Sequence, residues 1–252
     1  MFNDLKDKVV LITGSSQGIG FATAKLLKTL GAKVILNGRT KETLENSAKE
    51  INADDFYVCD VSKADETKIM IESVIAKHGR IDCLVNNAGG GGWASIQNED
   101  SEWQKSFDLD IMGAVHTCRY VLPQMEIQKS GVVVNTCSMW GEASMAKPTI
   151  ASYSVSKAAL SKLTENLAQQ YAPNIRVNGV APGWTKTKML LDDFDADGIK
   201  FMERNLLLGR LAEPDEIAKV IIFLLSDLSS YIVGQIITAD GGYLLKRDNI
   251  DN

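Results

Sequence analysis

The stretch Lys8–Gly20, KVVLITGSSQGIG, decides the fold. Its opening residues are a short, continuous apolar run rich in β-branched side chains, the pattern of a strand buried on both faces. The run passes directly into Thr13–Gly20 and then into a helical pattern. Each glycine there meets a physical demand. Gly14 permits a sharp turn off the strand, and Gly18 lets the backbone approach a pyrophosphate with no Cβ in the way. Gly20 lets the helix pack closely while its N-terminal amides and dipole face an anion. The spacing is G-x-x-x-G-x-G, and a glycine pattern alone says little. Set between a strand and a helix, it predicts dinucleotide binding, with Ser15, Gln17 and Ile19 as further contacts.

Outward from this loop, β-branched runs alternate with helical stretches. The predicted strands are Val9–Thr13, Lys33–Asn37, Asp55–Val58, Ile81–Val85, Gly131–Cys137, Ile175–Val180 and Gln235–Thr238. The predicted helices are Ile19–Leu30, Lys41–Ile51, Lys63–His78, Ser101–Gln128, Tyr153–Tyr171 and Pro214–Leu225. Right-handed crossovers then give an α/β fold with a doubly wound parallel sheet, a Rossmann-like three-layer sandwich. No linker or repeat divides residues 1–252, so they read as a single domain. Residues 186–208, with Asp192, Asp193, Asp195 and Asp197, interrupt the alternation and read as a substrate lid over the carboxyl ends of the strands. Those acids also suit a solvated helix face.

Composition narrows the function. The 252 residues carry 27 Lys+Arg against 32 Asp+Glu, a net charge of −5. A phosphate-backbone binder needs a basic excess, so nucleic acid is not the expected partner. No apolar run approaches the roughly 18 residues of a membrane span, and the start lacks the apolar core of a signal peptide. Cys59, Cys83, Cys118 and Cys137 show no CxxC pairing and read as buried thiols of a reducing, cytoplasmic compartment. With His78 and His116 the two histidines, no metal site is expected.

The second strand bears on which dinucleotide is bound. An acid at its end would accept from the ribose 2′-hydroxyl and repel a 2′-phosphate. Here VILNGRT has Gly38 at that place and Arg39 just beyond. A guanidinium can fork onto a phosphate, with hydroxyls from Ser15 and Thr40 beside it, although Arg39 also suits a surface residue starting a helix. The missing acid favours NADP(H).

Six ordered motifs follow from Thr13 onward: TGSSQGIG, CDV (Cys59–Val61), NNAG (Asn86–Gly89), Ser138, YSVSK (Tyr153–Lys157) and APG (Ala181–Gly183). With them the chain, from Lys8 to Gly242, resembles the short-chain dehydrogenase/reductase family in its single-domain form. The resemblance implies that Asp60 and the Val61 amide hold the adenine. It implies that Asn86, Asn87, Ala88 and Gly89 shape the floor under the ribose, that Pro182, Gly183 and Thr185 hold the nicotinamide carboxamide, and that Thr187 grips the cofactor. Tyr153 becomes the proton donor, Lys157 binds the ribose and makes the phenol acidic, and Ser138 meets the substrate oxygen.

Tyr153 and Lys157, four apart, do share a helix face, and an adjacent ammonium favours a phenolate. The family usually has Asn where this chain has Asp110. A carboxylate there can accept from a water linked to the lysine but, when ionised, cannot donate. The segment between Ser138 and Tyr153 is also slightly longer than the family's commonest one.

Trp93, Trp140 and Trp184 fall in loops at the expected mouth, where they suit a cyclic or bulky substrate or, equally, loop anchoring and subunit contacts. Trp103 reads as structural. Met139, Met145 and Met189 could add apolar wall, while Lys147, Lys186 and Lys188 are the candidates for holding a substrate anion. Ser101–Gln128, Tyr153–Tyr171 and the last strand would, by the resemblance, form a homotetramer; the tail Tyr243–Asn252 ends polar. The leading expectation is an NADP(H)-dependent carbonyl/alcohol oxidoreductase. The alternatives are a 3-oxoacyl-carrier-protein reductase, which predicts a basic docking patch at the mouth, and a catalytically silent cofactor-binding sensor or scaffold.

Overall fold

The computed structural model describes residues 2–90, 92–142 and 144–245, so the tail from residue 246 lies outside the described residues. The strands are β1 Val9–Ile12, β2 Lys33–Gly38, β3 Asp55–Val58, β4 Cys83–Asn86, β5 Gly131–Thr136, β6 Ile175–Pro182 and β7 Ile236–Ala239. The helices are α1 Gly18–Thr29, α2 Lys41–Ile51, α3 Ala64–His78, α4 Asp100–Phe107, α5 Gly113–Gln128, α6 Ala151–Tyr171, α7 Lys188–Asp193, α8 Ala196–Arg204 and α9 Pro214–Leu225. All strands pair in parallel, in the order β3-β2-β1-β4-β5-β6-β7. The chain winds outward from β1 to β3 and then lays β4 on the other side of β1. The order reverses there and opens a crevice at the carboxyl ends.

Side-chain alternation makes both faces apolar. Val10 and Ile12 join Val34 and Leu36 in packing on Ala24 and Leu27 of α1, Leu44 of α2 and Ile217 and Ile221 of α9. Val9, Leu11 and Ile35 point the other way, onto Met70 and Val74 of α3 and Val121 and Leu122 of α5. Each such side chain contributes about 1.5–3 kcal/mol when fully buried. A one-residue slip of β1 would exchange the two sets, so the register is strongly specified.

Between the helices runs a buried polar chain. Thr117 of α5 donates to Asn86 Oδ1 at 2.6 Å, Asn86 Nδ2 donates to Asn135 Oδ1 at 2.8 Å, and Asn135 Nδ2 donates to Thr164 Oγ1 of α6 at 2.8 Å. These bonds fix α5 and α6 against β4 and β5. Asn86 is thus a buried strut of the sheet, not a residue of the ribose floor.

One sequence expectation is refined here. Ser101–Gln128 is helical throughout but not α-helical throughout: a turn of π-helix, Asp108–Met112, lies between α4 and α5. The wider turn accompanies the burial of Asp110, whose carboxylate accepts from the Gly90 amide at 2.7 Å. Residues 186–208 form two short helices, α7 and α8, around Phe194. Their apolar sides, Leu190 and Met202, pack with Leu206 and Leu211. The acids do local work: Asp195 caps α8 by accepting from the Gly198 amide at 2.8 Å, and Asp192 pairs with Lys188 at 2.5 Å. All four cysteines are buried and free, and burial pushes the thiols of Cys83 and Cys118 up to about 12.

Candidate active site

The crevice is a cavity of about 410 Å³ that begins at the glycine loop and ends among aromatic side chains. Gly14 lies in the left-handed region at φ +60°, and a Cβ on it would stand 2.8 Å from Ala88 Cα. Only glycine lets β1 turn this close to the strand end of β4. Asn87 pins the turn, its Nδ2 donating to the carbonyls of Thr13 at 3.2 Å and Gly14 at 3.0 Å. Gly20 sits against Asn87, and Gly18 faces Thr187, which caps α7.

Gln17, Gly18 and Ile19 line the cavity, and no side chain of the described residues caps the N-terminus of α1. Unpaired amides and the positive end of the helix dipole therefore meet the crevice, which is what a pyrophosphate requires. By this test the residues fit a dinucleotide. Asn87, Ala88, Gly89, Pro182, Gly183, Thr185 and Thr187 line the same cavity further along.

At the adenine end, Arg39 and Thr40 are exposed at the rim and the strand end carries no acid. Ser15 is not available there. Its hydroxyl is fully buried, donates to Ile12 O at 2.8 Å and accepts from the Asn37 amide at 3.0 Å, tying β1 to β2. The rim hydroxyl is that of Ser16, 3.4 Å from where a Cβ on Gly38 would stand. In TGSS the two serines look alike; the one adjoining the strand is drawn into the sheet. Asp60 accepts from the Ser62 amide at 3.0 Å through Oδ1, and its neighbours Cys59 and Val61 line the cavity.

At the other end, β5 and α6 bring Ser138, Tyr153 and Lys157 together. Gly141 makes this possible, because a Cβ there would collide at 2.8 Å with the Ala158 amide nitrogen of α6. No motif signalled that residue. Ser138 Oγ accepts from the Trp140 amide at 3.2 Å and stands beside the Tyr153 phenol, where it favours the ionised form. Lys157 Nζ lies 5.7 Å from the centre of the Tyr153 ring and donates to Thr136 O at 3.0 Å. Asp110 Oδ1 stands 3.3 Å from the same ammonium, a direct ion pair where the sequence suggested a water link.

The electrostatics correct a further expectation. Burial, more than any charge, holds the Tyr153 phenol above its ordinary value; Lys157 pulls it down and Asp110 pushes it back up. Burial also works against the Lys157 ammonium, but Asp110 and Tyr153 outweigh it and hold the lysine above its ordinary value. The protein's own groups therefore keep the phenol protonated, not acidic.

Around the mouth, Trp140 is edge-on to Trp184 at 5.7 Å, Trp184 is edge-on to Phe194 at 5.9 Å, and Phe194 lies 6.0 Å from Trp93. Met139 and Met189 complete this wall. Trp103 stands apart, donating to Ser95 O at 2.9 Å and stacked on Phe107. Phe194 was invisible to motif reading, since it reaches the wall only through the break between α7 and α8.

Comparison with known proteins agrees with this geometry. A family model described as "Enoyl-(Acyl carrier protein) reductase" matches residues 14–244. The chain is 38% identical over 247 residues to a 3-oxoacyl-[acyl-carrier-protein] reductase of Thermotoga maritima, covering 96% of this chain and 99% of that protein. A 7α-hydroxysteroid dehydrogenase solved with NADH and 7-oxo glycochenodeoxycholic acid superposes with a TM-score of 0.91 at 32% identity, over 96% of this chain and 98% of that one. A gluconate 5-dehydrogenase from Burkholderia cenocepacia, solved with NADP and tartrate, superposes with a TM-score of 0.90 at 31% identity, over 96% and 97%.

Proposed function

The chain belongs to the short-chain dehydrogenase/reductase family, and on that premise we propose an NADP(H)-dependent oxidoreductase interconverting a cyclic or bulky carbonyl compound and its alcohol. One observation carries the reading: Ser138, Tyr153, Lys157 and Asp110 converge on one end of a crevice whose other end is a glycine loop fit for a pyrophosphate.

When bound, a nicotinamide dinucleotide supplies or accepts the hydride. The chain's own residues handle the proton and the orientation. Tyr153 gives its proton to the substrate oxygen as negative charge develops there. Ser138, with its oxygen engaged by the Trp140 amide, has its own hydrogen free for the same oxygen. Lys157 directs one N–H to Thr136 O and one to Asp110, leaving a third for a sugar hydroxyl.

NADP(H) is favoured by Arg39, Thr40 and Ser16 at a rim without an acid. The two superposed dehydrogenases were solved with different dinucleotides, so the preference proposed for this chain draws on the rim alone. The bulky substrate is favoured by the wall of Trp93, Trp140, Trp184 and Phe194, with residues 186–208 as its cover. A second reading, reduction of a 3-oxoacyl thioester, draws on the likeness to the Thermotoga maritima enzyme. Against it, Asp192, Asp193, Asp195 and Asp197 are all exposed beside the mouth, where an acidic carrier would need a basic patch. A cytoplasmic homotetramer completes the reading: β7 is an edge strand left half-exposed, and Tyr231 and Leu228 beside it are exposed, as a covering subunit would require. No helix of the described residues is long and apolar enough to cross a membrane.

The test is NADPH and NADH consumption with a panel of cyclic ketones, short linear ketones and a 3-oxoacyl thioester. The reading expects the highest kcat/KM for a cyclic ketone with NADPH. Preference for the thioester would support the second reading instead.

A further inference from the structure

A second cavity, of about 300 Å³, adjoins the first at Trp140 and Trp184. Trp140 and Trp184 line both cavities, and Met145, Lys147, Met202 and Tyr243 close this one. Its walls are flat and apolar, with Tyr243 edge-on to Trp140 at 6.2 Å and to Trp184 at 6.4 Å.

Two features of this apolar space call for a negative partner. Lys147 is half-buried, with its Nζ 5.6 Å from the centre of the Trp140 ring. Among the described residues no carboxylate lies within ion-pair distance of it, whereas Lys186 is paired with Glu213 and Lys188 with Asp192. The second feature is Trp184 Nε1, a buried donor without an acceptor among the described residues. An unsatisfied buried donor is costly, and native proteins seldom leave one without a reason. Lys147, Trp140 and Trp184 all line this cavity, so a cation without an anion stands beside flat apolar rings, the makings of a receptor for an anion carried on a flat apolar body.

We propose that this cavity is a subsite for the distal acidic group of the substrate, a carboxylate received by Lys147 while the apolar body of the molecule lies along Trp140 and Trp184. Calling the molecule a substrate rests on the oxidoreductase reading above; the recognition of the acid rests on Lys147. The substrate class is thereby a cyclic carbonyl compound bearing a carboxylate remote from the reacting carbon. Lys147 sets specificity and takes no part in the proton chemistry.

The experiment uses a 3-oxo steroid carboxylate and its uncharged methyl ester, titrated calorimetrically into the full-length protein with NADP⁺ present. The wild type is expected to bind the acid at least tenfold more tightly than the ester. Lys147→Gln should abolish that preference while leaving the ester's affinity unchanged, and Lys147→Arg should restore it. Equal affinity for acid and ester, failure of the acid to bind, or a preference that survives Lys147→Gln would each overturn the proposal. Steady-state assays with NADPH separate this from the underlying reading. A retained acid preference without NADPH oxidation would sink the oxidoreductase reading alone, and turnover without acid preference would sink the subsite alone. Circular dichroism melts of each variant verify that the fold is retained.

Discussion

Asp110 and Lys157 form a direct ion pair at 3.3 Å, with the carboxylate fully buried and the ammonium almost so. A lone buried charge is costly, so each member makes the other tolerable. The pair also sets the balance at Tyr153, because Asp110 opposes the pull of Lys157 on the phenol.

Replacing Asp110 by Asn removes a negative charge and should lower the phenol's pKa. Alcohol oxidation needs the phenolate, so its rising limb should move to lower pH. Carbonyl reduction needs the phenol, so its falling limb should move the same way. Profiles of kcat/KM in both directions test this, and unmoved limbs would detach Asp110 from the proton chemistry. Asp110→Ala should in addition destabilise the fold by about 3 kcal/mol, read from urea unfolding, by stranding the ammonium.

Folding stability should fall at alkaline pH. Lys157 and Tyr153 are both held above their ordinary values. Each therefore contributes stability that is complete below its unfolded pKa and is lost as pH rises through its folded one. Thermal melts taken from neutral to strongly alkaline pH should decline steadily, and Asp110→Asn should flatten that decline.

Arg39→Ala should raise the Kd for NADPH by tenfold or more and leave that for NADH nearly unchanged, because a forked guanidinium contact to a 2′-phosphate is lost in one case only. Ser16→Ala should act in the same sense more weakly. Equal weakening of both dinucleotides would refute phosphate reading by the rim.

The fold was legible because periodicity and burial coincide: continuous apolar runs such as Val9–Ile12 form strands with both faces covered. The glycine loop was legible for a related reason, since Gly14 stands where backbone approaches backbone. Less was legible where tertiary contacts decide. Ser15 and Ser16 differ by which side of the turn faces the sheet, and Asn86 by whether its partners are buried. The π-turn at Asp108–Met112 is paired with contacts from distant Gly90 and Lys157, which no local pattern records. The acidity expected of Tyr153 failed because burial and Asp110 outweigh the neighbouring ammonium.

Gly14→Ala tests the loop itself. The new Cβ would force a non-glycine residue into the left-handed region and against Ala88, at a cost of order 1–3 kcal/mol. A lowered Tm and loss of NADPH binding are expected together; normal binding would mean that the loop does not form the cofactor seat.

Proton donation by Tyr153 is tested most directly by the single-turnover rate of NADPH oxidation in Tyr153→Phe, with a cyclic ketone that the wild type reduces. The account predicts a rate lower by roughly 10²- to 10⁴-fold with NADPH affinity unchanged. A variant that reduces the ketone as fast as the wild type would contradict it.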